Sequence, residues 1–168
     1  MLMNEIKNRY SVRKYKDKPI EEEKLNTILE AARLAPSAKN YQMWNFVVIK
    51  DNDRRKRLAE ICKNQKFVAE APVTIAICMT NLDYVMSGGT PAYIVDGAIA
   101  GEHIALQAVN LGLGTCWIGA FHHEPLEEFL NLPDDFRVVC LLTLGYPADS
   151  KRERRLKEIS EIVRYEKF

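Results

Sequence analysis

Three stretches limit the fold of this chain more than any others: WNFVVIK at 44–50, PVTIAICM at 72–79 and VVCLLTLG at 138–145. Each is apolar at consecutive positions, not at alternate ones. A strand with one wet face alternates between apolar and polar residues. A strand covered on both faces does not. The three runs therefore predict buried strands with a layer packed on each side. WNFVVIK reads as a central strand on this ground. TCWIG, 115–119, reads as a short strand or an extended loop.

The covering layers are legible as helices. EEEKLNTILEAARLA, 21–35, places Leu25, Ile28, Leu29 and Ala32 at helical spacing. Its leading glutamates suit a helix N-terminus, and Pro36 stops it. Residues 2–9, 52–62 and 124–131 read as shorter helices, the last with Pro125 near its start. Residues 91–111 form the longest helical candidate, ended by Gly112 and Gly114. Its interior carries Gly97 and Gly101 among several alanines. Glycine weakens a helix interior by about 1 kcal/mol relative to alanine, so two of them imply close approach by another backbone. A partner helix could come from this chain or from a second subunit. No repeat or linker interrupts the pattern. The reading is one domain, residues 1–168, of α/β or α+β class.

The charge balance excludes some functions. With 24 Lys+Arg against 23 Asp+Glu, the net charge is +1. No global field attracts nucleic acid or an anionic membrane, so any anion site is local. No apolar run is long enough to span a bilayer. The opening MLMNEIKNRY is charged and reads as helix, not leader. Cys62, Cys78, Cys116 and Cys140 are scattered with no CxxC pair. They read as small buried hydrophobes in a reducing cytoplasm, with no zinc site.

Two basic clusters stand out locally. The first holds Arg9, Arg13 and Lys14 within NRYSVRKY. The second holds Lys151, Arg152, Arg154 and Arg155. Both could be solvated faces. They could also be the halves of a phosphate seat, since arginine forks match phosphate oxygens and Ser11 adds a hydroxyl. PSAKN, 36–40, joins a helix end to a strand, where ligands commonly bind. Its small residues would let a flat ring approach the backbone. It could equally be a plain connector. His103, His122 and His123 lack metal or triad spacing and read as surface or packed residues. Asp96, inside an apolar helix, reads as a hydrogen-bonded packing residue. There is no GxGxxG fingerprint, and the glycines of LGLGTCWIG follow a helix instead of preceding one.

Four stretches in this order resemble the FMN-dependent nitroreductase family across essentially the whole chain. RYSVRKY is similar to its N-terminal Arg-x-Ser-x-Arg-x-aromatic motif. ARLAPSAKNYQMWNFVVI resembles its Ala-Pro-Ser-Ser-x-Asn-x-Gln-Pro-Trp stretch. DGAIAGEHIALQAVNLGLGTCWIGAF resembles its long central helix and following Gly-Leu-Gly-x-Cys-Trp-Ile-Gly. LGYPAD with its basic run resembles the C-terminal segment.

The resemblance implies an α+β fold, an α-β-α sandwich on a mostly antiparallel sheet, in an intertwined homodimer with FMN at the interface. By the same resemblance, Arg9 and Ser11 bind the phosphate and ribityl end beside the backbone of Tyr10. Arg13 reaches the pyrimidine edge. Pro36, Ser37, Ala38 and Asn40 come from the other subunit, and Asn64 bonds the pyrimidine edge. The backbone of Ile118 and Gly119 nears N5, and Arg152 or Arg154 completes the phosphate clamp. NADH or NADPH delivers hydride in a ping-pong cycle that needs no catalytic side chain. A nitroaromatic, quinone or similar small molecule is the acceptor. Related family chemistries reduce free flavins, dehalogenate aromatics or fragment flavin, and a flavin sensor or store is a further alternative. Ala38 departs from the family's second serine, Met43 from its proline, and Glu153 breaks the basic register. The short Thr80–Pro91 segment implies a small cover over the ring.

Overall fold

The apolar runs become three strands of a four-stranded sheet in the computed structural model, which describes residues 1–168. The strands are β1 (Trp44–Ile49), β2 (Val73–Met79), β3 (Gly114–Ile118) and β4 (Arg137–Gly145). Their order is β1-β2-β4-β3, and every neighbouring pair is antiparallel. The helices are α1 (Asn4–Asn8), α2 (Glu22–Arg33), α3 (Asn52–Ile61), α4 (Lys66–Glu70), α5 (Ala92–Asn110), α6 (His123–Leu130) and α7 (Ile159–Ile162).

Two apolar cores explain why the strands lack alternation. On one face, Ile75, Ile77, Leu142 and Leu144 pack with Leu25, Ile28 and Ala32 of α2 and Ala100, Ile104 and Ala108 of α5. On the other, Ala76, Cys78 and Leu141 pack with Leu58 and Ile61 of α3, Val68 of α4 and Leu126 of α6. This is the expected α-β-α sandwich. A fully buried side chain such as Ile28 or Ile104 contributes about 1.5–3 kcal/mol. The β2–β4 register skips a residue: Ile77 faces Cys140 and Cys78 faces Val138. The bulge at Val139 turns both Val139 and Cys140 towards the α2–α5 core.

WNFVVIK is an edge strand, not a central one; β2 and β4 hold the centre. Apolar residues on both faces show that layers lie above and below a strand. They say nothing about what lies beside it. The glycines of α5 are also explained differently from the expectation. A Cβ on Gly101 would lie 2.5 Å from the Trp117 ring, and one on Gly97 would lie 3.3 Å from Met79 and Val139 side chains. The close neighbours are side chains of the sheet, not the backbone of a second helix. The turn of 3-10 helix at Ala38–Asn40, α4 and α7 were not legible, being only three to five residues long.

After α1 the chain runs beside β3. Ser11 bridges Thr115 in parallel, and the Val12 N–H donates to the Thr115 carbonyl at 2.9 Å. The segment after β4 then folds back along it. The Lys16 N–H donates to the Tyr146 carbonyl at 2.9 Å and the Ala148 N–H to the Lys14 carbonyl at 2.8 Å. Gly114 makes room for this arrangement. A Cβ there would lie 2.4 Å from Val12 Cγ2 and 3.0 Å from Pro147 Cγ. Gly114→Ala is therefore expected to lower unfolding free energy by about 1–3 kcal/mol in urea titrations. Gly88→Ala, with nothing within 4 Å, is expected to stay within about 0.5 kcal/mol of the parent.

Candidate functional site

The two basic clusters, 140 residues apart in sequence, meet in one cavity. It has a volume of about 290 Å³ and is lined by Tyr10, Ser11, Arg13, Asp149, Ser150, Arg152, Glu153 and Arg154. Asp149 fastens the two sides together. Its Oδ2 accepts the Arg13 N–H at 2.9 Å. The Tyr10 hydroxyl donates to its Oδ1 at 3.2 Å and to its backbone carbonyl at 2.9 Å. Burial, then the Asp149 carboxylate, raises the Tyr10 pKa, so its hydroxyl stays a donor. Two long cations complete the closure: Lys151 donates to the Lys7 carbonyl and Arg154 to the Arg9 carbonyl.

Below this surface the packing is dry. Tyr15 is buried, its hydroxyl 2.7 Å from Thr143 Oγ1 and 3.0 Å from the Val12 carbonyl it donates to. Burial raises the Tyr15 pKa strongly, which keeps it neutral. Cys116 lies under Ser11 and Arg13; burial raises its thiol pKa, against the lowering pull of Arg13.

The structure places the expected site residues in four groups. Tyr10, Ser11, Arg13, Arg152 and Arg154 come together in the cavity. Arg9 turns the other way, its guanidinium 3.8 Å from Glu102 of α5. Asn64, at φ 58° in the turn after α3, sits near the end of β3, because Gln65 donates to the Ala120 carbonyl at 3.2 Å. Gly119 is exposed there with open space around its Cα, while the Ile118 side chain is buried. Thr115, which bridges Ser11, is four residues from Gly119, so the two sites stand about 13 Å apart along an edge strand. Pro36, Ser37, Ala38 and Asn40 do not reach the cavity. Their turn is tied to α5, the Ala38 N–H donating to both Asp96 carboxylate oxygens at 3.1 Å. Asp96 is thus a hydrogen-bonded packing residue, as its position implied. His103 packs its Nδ1 3.1 Å from the Ala31 carbonyl, and His123 lies edge-on to Phe121. Sequence reading missed Asp149 and the Arg9–Glu102 pair. Asp149 left one signal, as the acid between LGYPA and the basic run.

A profile of the nitroreductase family matches residues 6–66 and 62–146. The chain belongs to the nitroreductase family. It is 34% identical over 154 residues to an Archaeoglobus fulgidus protein whose provisional name is NADH dehydrogenase/NAD(P)H nitroreductase, covering 87% of this chain and 85% of that one. It is 31% identical to the FMN reductase [NAD(P)H] of Bacillus subtilis, covering 88% of this chain and 67% of the relative. An FMN-dependent nitroreductase from Clostridium difficile R20291 superposes with a TM-score of 0.83 at 32% identity, over 99% of this chain and 100% of that one. These relatives give the fold of this nitroreductase-family chain independent support. No helix is long and apolar enough to cross a membrane.

The donor chemistry of the cavity fits a phosphate group. Arg13, Arg152 and Arg154 supply guanidinium N–H groups and Ser11 a hydroxyl, all acting on one space. The Asp149 oxygens are already occupied by Arg13 N–H and Tyr10, which lessens their repulsion of an anion.

The cysteines of this family member are structural. Burial pushes the thiols of Cys62, Cys78 and Cys140 from 9.0 to about 12. In the unfolded chain they ionise above about 9, while the folded chain keeps their protons. Their contribution to stability is therefore intact below pH 9 and is lost as pH rises towards 12. Urea midpoints are expected to fall between pH 8.5 and 11, and to fall less in a Cys62→Ala, Cys140→Ala double variant.

Proposed function

We propose that residues 1–168 form a single FMN-binding domain of an NAD(P)H-dependent oxidoreductase that works as a homodimer. The observation that carries this reading is the meeting of Ser11, Arg13, Arg152 and Arg154 in one cavity from opposite ends of the chain. Bound FMN would supply the redox chemistry, taking hydride from NADH or NADPH and passing electrons to a nitroaromatic, quinone or similar small acceptor.

The chain's own residues bind and orient. Ser11, Arg152 and Arg154 hold the phosphate, with Arg9 joining when it leaves its long, partly exposed pairing with Glu102. Arg13 reaches from the cavity towards the pyrimidine edge, which Asn64 meets from the turn after α3. The backbone at Gly119, which follows Ile118, stays open for the ring, since a Cβ there would have no neighbour within 4 Å. The Pro36–Asn40 turn of one copy closes on the cofactor seated in the other. No side chain is assigned to proton transfer.

Homodimerisation rests on two uncovered surfaces. Residues 151–168 are exposed throughout, yet they carry Leu156, Ile159, Ile162, Tyr165 and Phe168. Leu2 and Met3 before α1, Ile6 on α1, Leu34 just after α2 and Ile94 on α5 are further exposed apolar residues. An arm of that composition needs a partner to bury it. Four unpaired thiols suit a reducing compartment such as the cytoplasm.

Purified protein is expected to show flavin absorbance and to bleach when mixed anaerobically with NADH or NADPH. Retained colour with both reductants would make it a flavin store, and a colourless protein that ignores added FMN would contradict the reading. Arg152→Ala and Arg154→Ala are each expected to raise the FMN Kd about tenfold, measured by quenching of flavin fluorescence.

A further inference from the structure

Asp96 is a buried carboxylate that the proposed chemistry does not use. It is 2% exposed, and burial raises its pKa while the Ala38 N–H lowers it. A carboxylate offers about four acceptor sites, and an ionised one is costly to bury without donors. Here both oxygens turn on a single backbone donor, the Ala38 N–H, at 3.1 Å each. An aliphatic residue would fill the position more cheaply, so the carboxylate is explained by what it holds.

What it holds is a turn in high-energy backbone. Lys39, Asn40 and Gln42 all have positive φ, at 50°, 56° and 52°. Non-glycine residues in that region persist only when their surroundings fix them. The Ser37 hydroxyl fixes one end, accepting the Gln42 N–H at 3.0 Å. Asp96 fixes the other.

Asp96 is itself fixed to the sheet. Next to it, Gly97 brings α5 down onto Met79 and Val139, and Gly101 brings it onto Trp117. Trp117 belongs to β3, the strand that carries Thr115, Ile118 and Gly119. The turn at Ala38 and the cavity edge at Ser11 are therefore both referenced to β3, one through Asp96 and α5, the other through the Ser11–Thr115 bridge.

We propose that Asp96 is a positioning residue for flavin binding: through the Ala38 N–H it sets where the Pro36–Asn40 turn stands against the cofactor. This rests on the flavin reading above, and the test separates the two. Amide hydrogen exchange at Ala38–Gln42 is measured in flavin-free dimer, and FMN Kd by fluorescence quenching, for the parent, Asp96→Asn, Asp96→Ala and Arg152→Ala. Asp96→Asn keeps one acceptor oxygen and serves as the conservative control. Asp96→Ala is expected to speed exchange at Ala38 and raise the FMN Kd, each about tenfold or more, with Asp96→Asn intermediate in both. Arg152→Ala is expected to raise the Kd and leave exchange at Ala38 unchanged. A faster-exchanging turn with parental FMN Kd, in either Asp96 variant, overturns the proposal and leaves the flavin reading standing. If Asp96→Ala does not fold, Asp96→Asn against the parent decides. A parent that binds no FMN ends both.

Discussion

Asp149 holds the two ends of this chain in one place. Its carboxylate takes the Arg13 N–H and the Tyr10 hydroxyl, and its backbone carbonyl takes Tyr10 again. Without that clasp, the segment after β4 would be kept against the N-terminal segment by the strand-like bonds at Lys14 and Lys16 and by two exposed cations, Lys151 and Arg154, on the Lys7 and Arg9 carbonyls. The basic clusters would then be two separate solvated surfaces, each repelling itself. With the clasp, guanidinium groups from both clusters face one space, an arrangement whose repulsion an anion relieves. Near-neutral overall charge is compatible with this because an anion site needs only a local group of cations, here Arg13, Arg152 and Arg154.

The same logic of reference to one rigid element runs through the rest. β3 is an edge strand, which leaves one side free for the Ser11–Val12 segment to pair with it. Gly114 admits Val12 at one end of β3, and Gly101 admits the Trp117 ring from its middle. Small residues therefore occur where two elements must stand closer than a Cβ allows. In α5 this fixes Asp96, and with it the strained turn at Lys39–Gln42.

Much of this was legible in the residues. Consecutive apolar positions in β2 and β4 marked strands covered on both faces, because burial on two faces removes alternation. Arg13, Ser11, Arg152 and Arg154 stood out because their chemistry matches an oxyanion, and the family resemblance joined them. The position of β1 was not legible, because lateral order in a sheet depends on long-range pairing that a strand's own residues do not encode. The neighbours of Gly97 and Gly101 were not legible either: a glycine records that something comes close, not whether it is a helix or a tryptophan ring. Asp149 escaped because its role lies in a partner more than 130 residues away. The turn at Ala38 escaped because lysine and glutamine have no intrinsic preference for the positive φ that Lys39 and Gln42 adopt, and the Asp96 carboxylate that accepts the Ala38 N–H lies far off in sequence.

The central claim is that both chain ends build a seat for a phosphate. Comparing FMN with riboflavin, which lacks the phosphate and is otherwise the same molecule, tests it most directly. Calorimetric titration of flavin-free protein is predicted to give FMN at least about a hundredfold tighter than riboflavin, as two or three charge-assisted hydrogen bonds require. The gap is predicted to narrow as salt rises. Equal affinity for the two flavins would show that the converging arginines bind nothing, and would contradict the account.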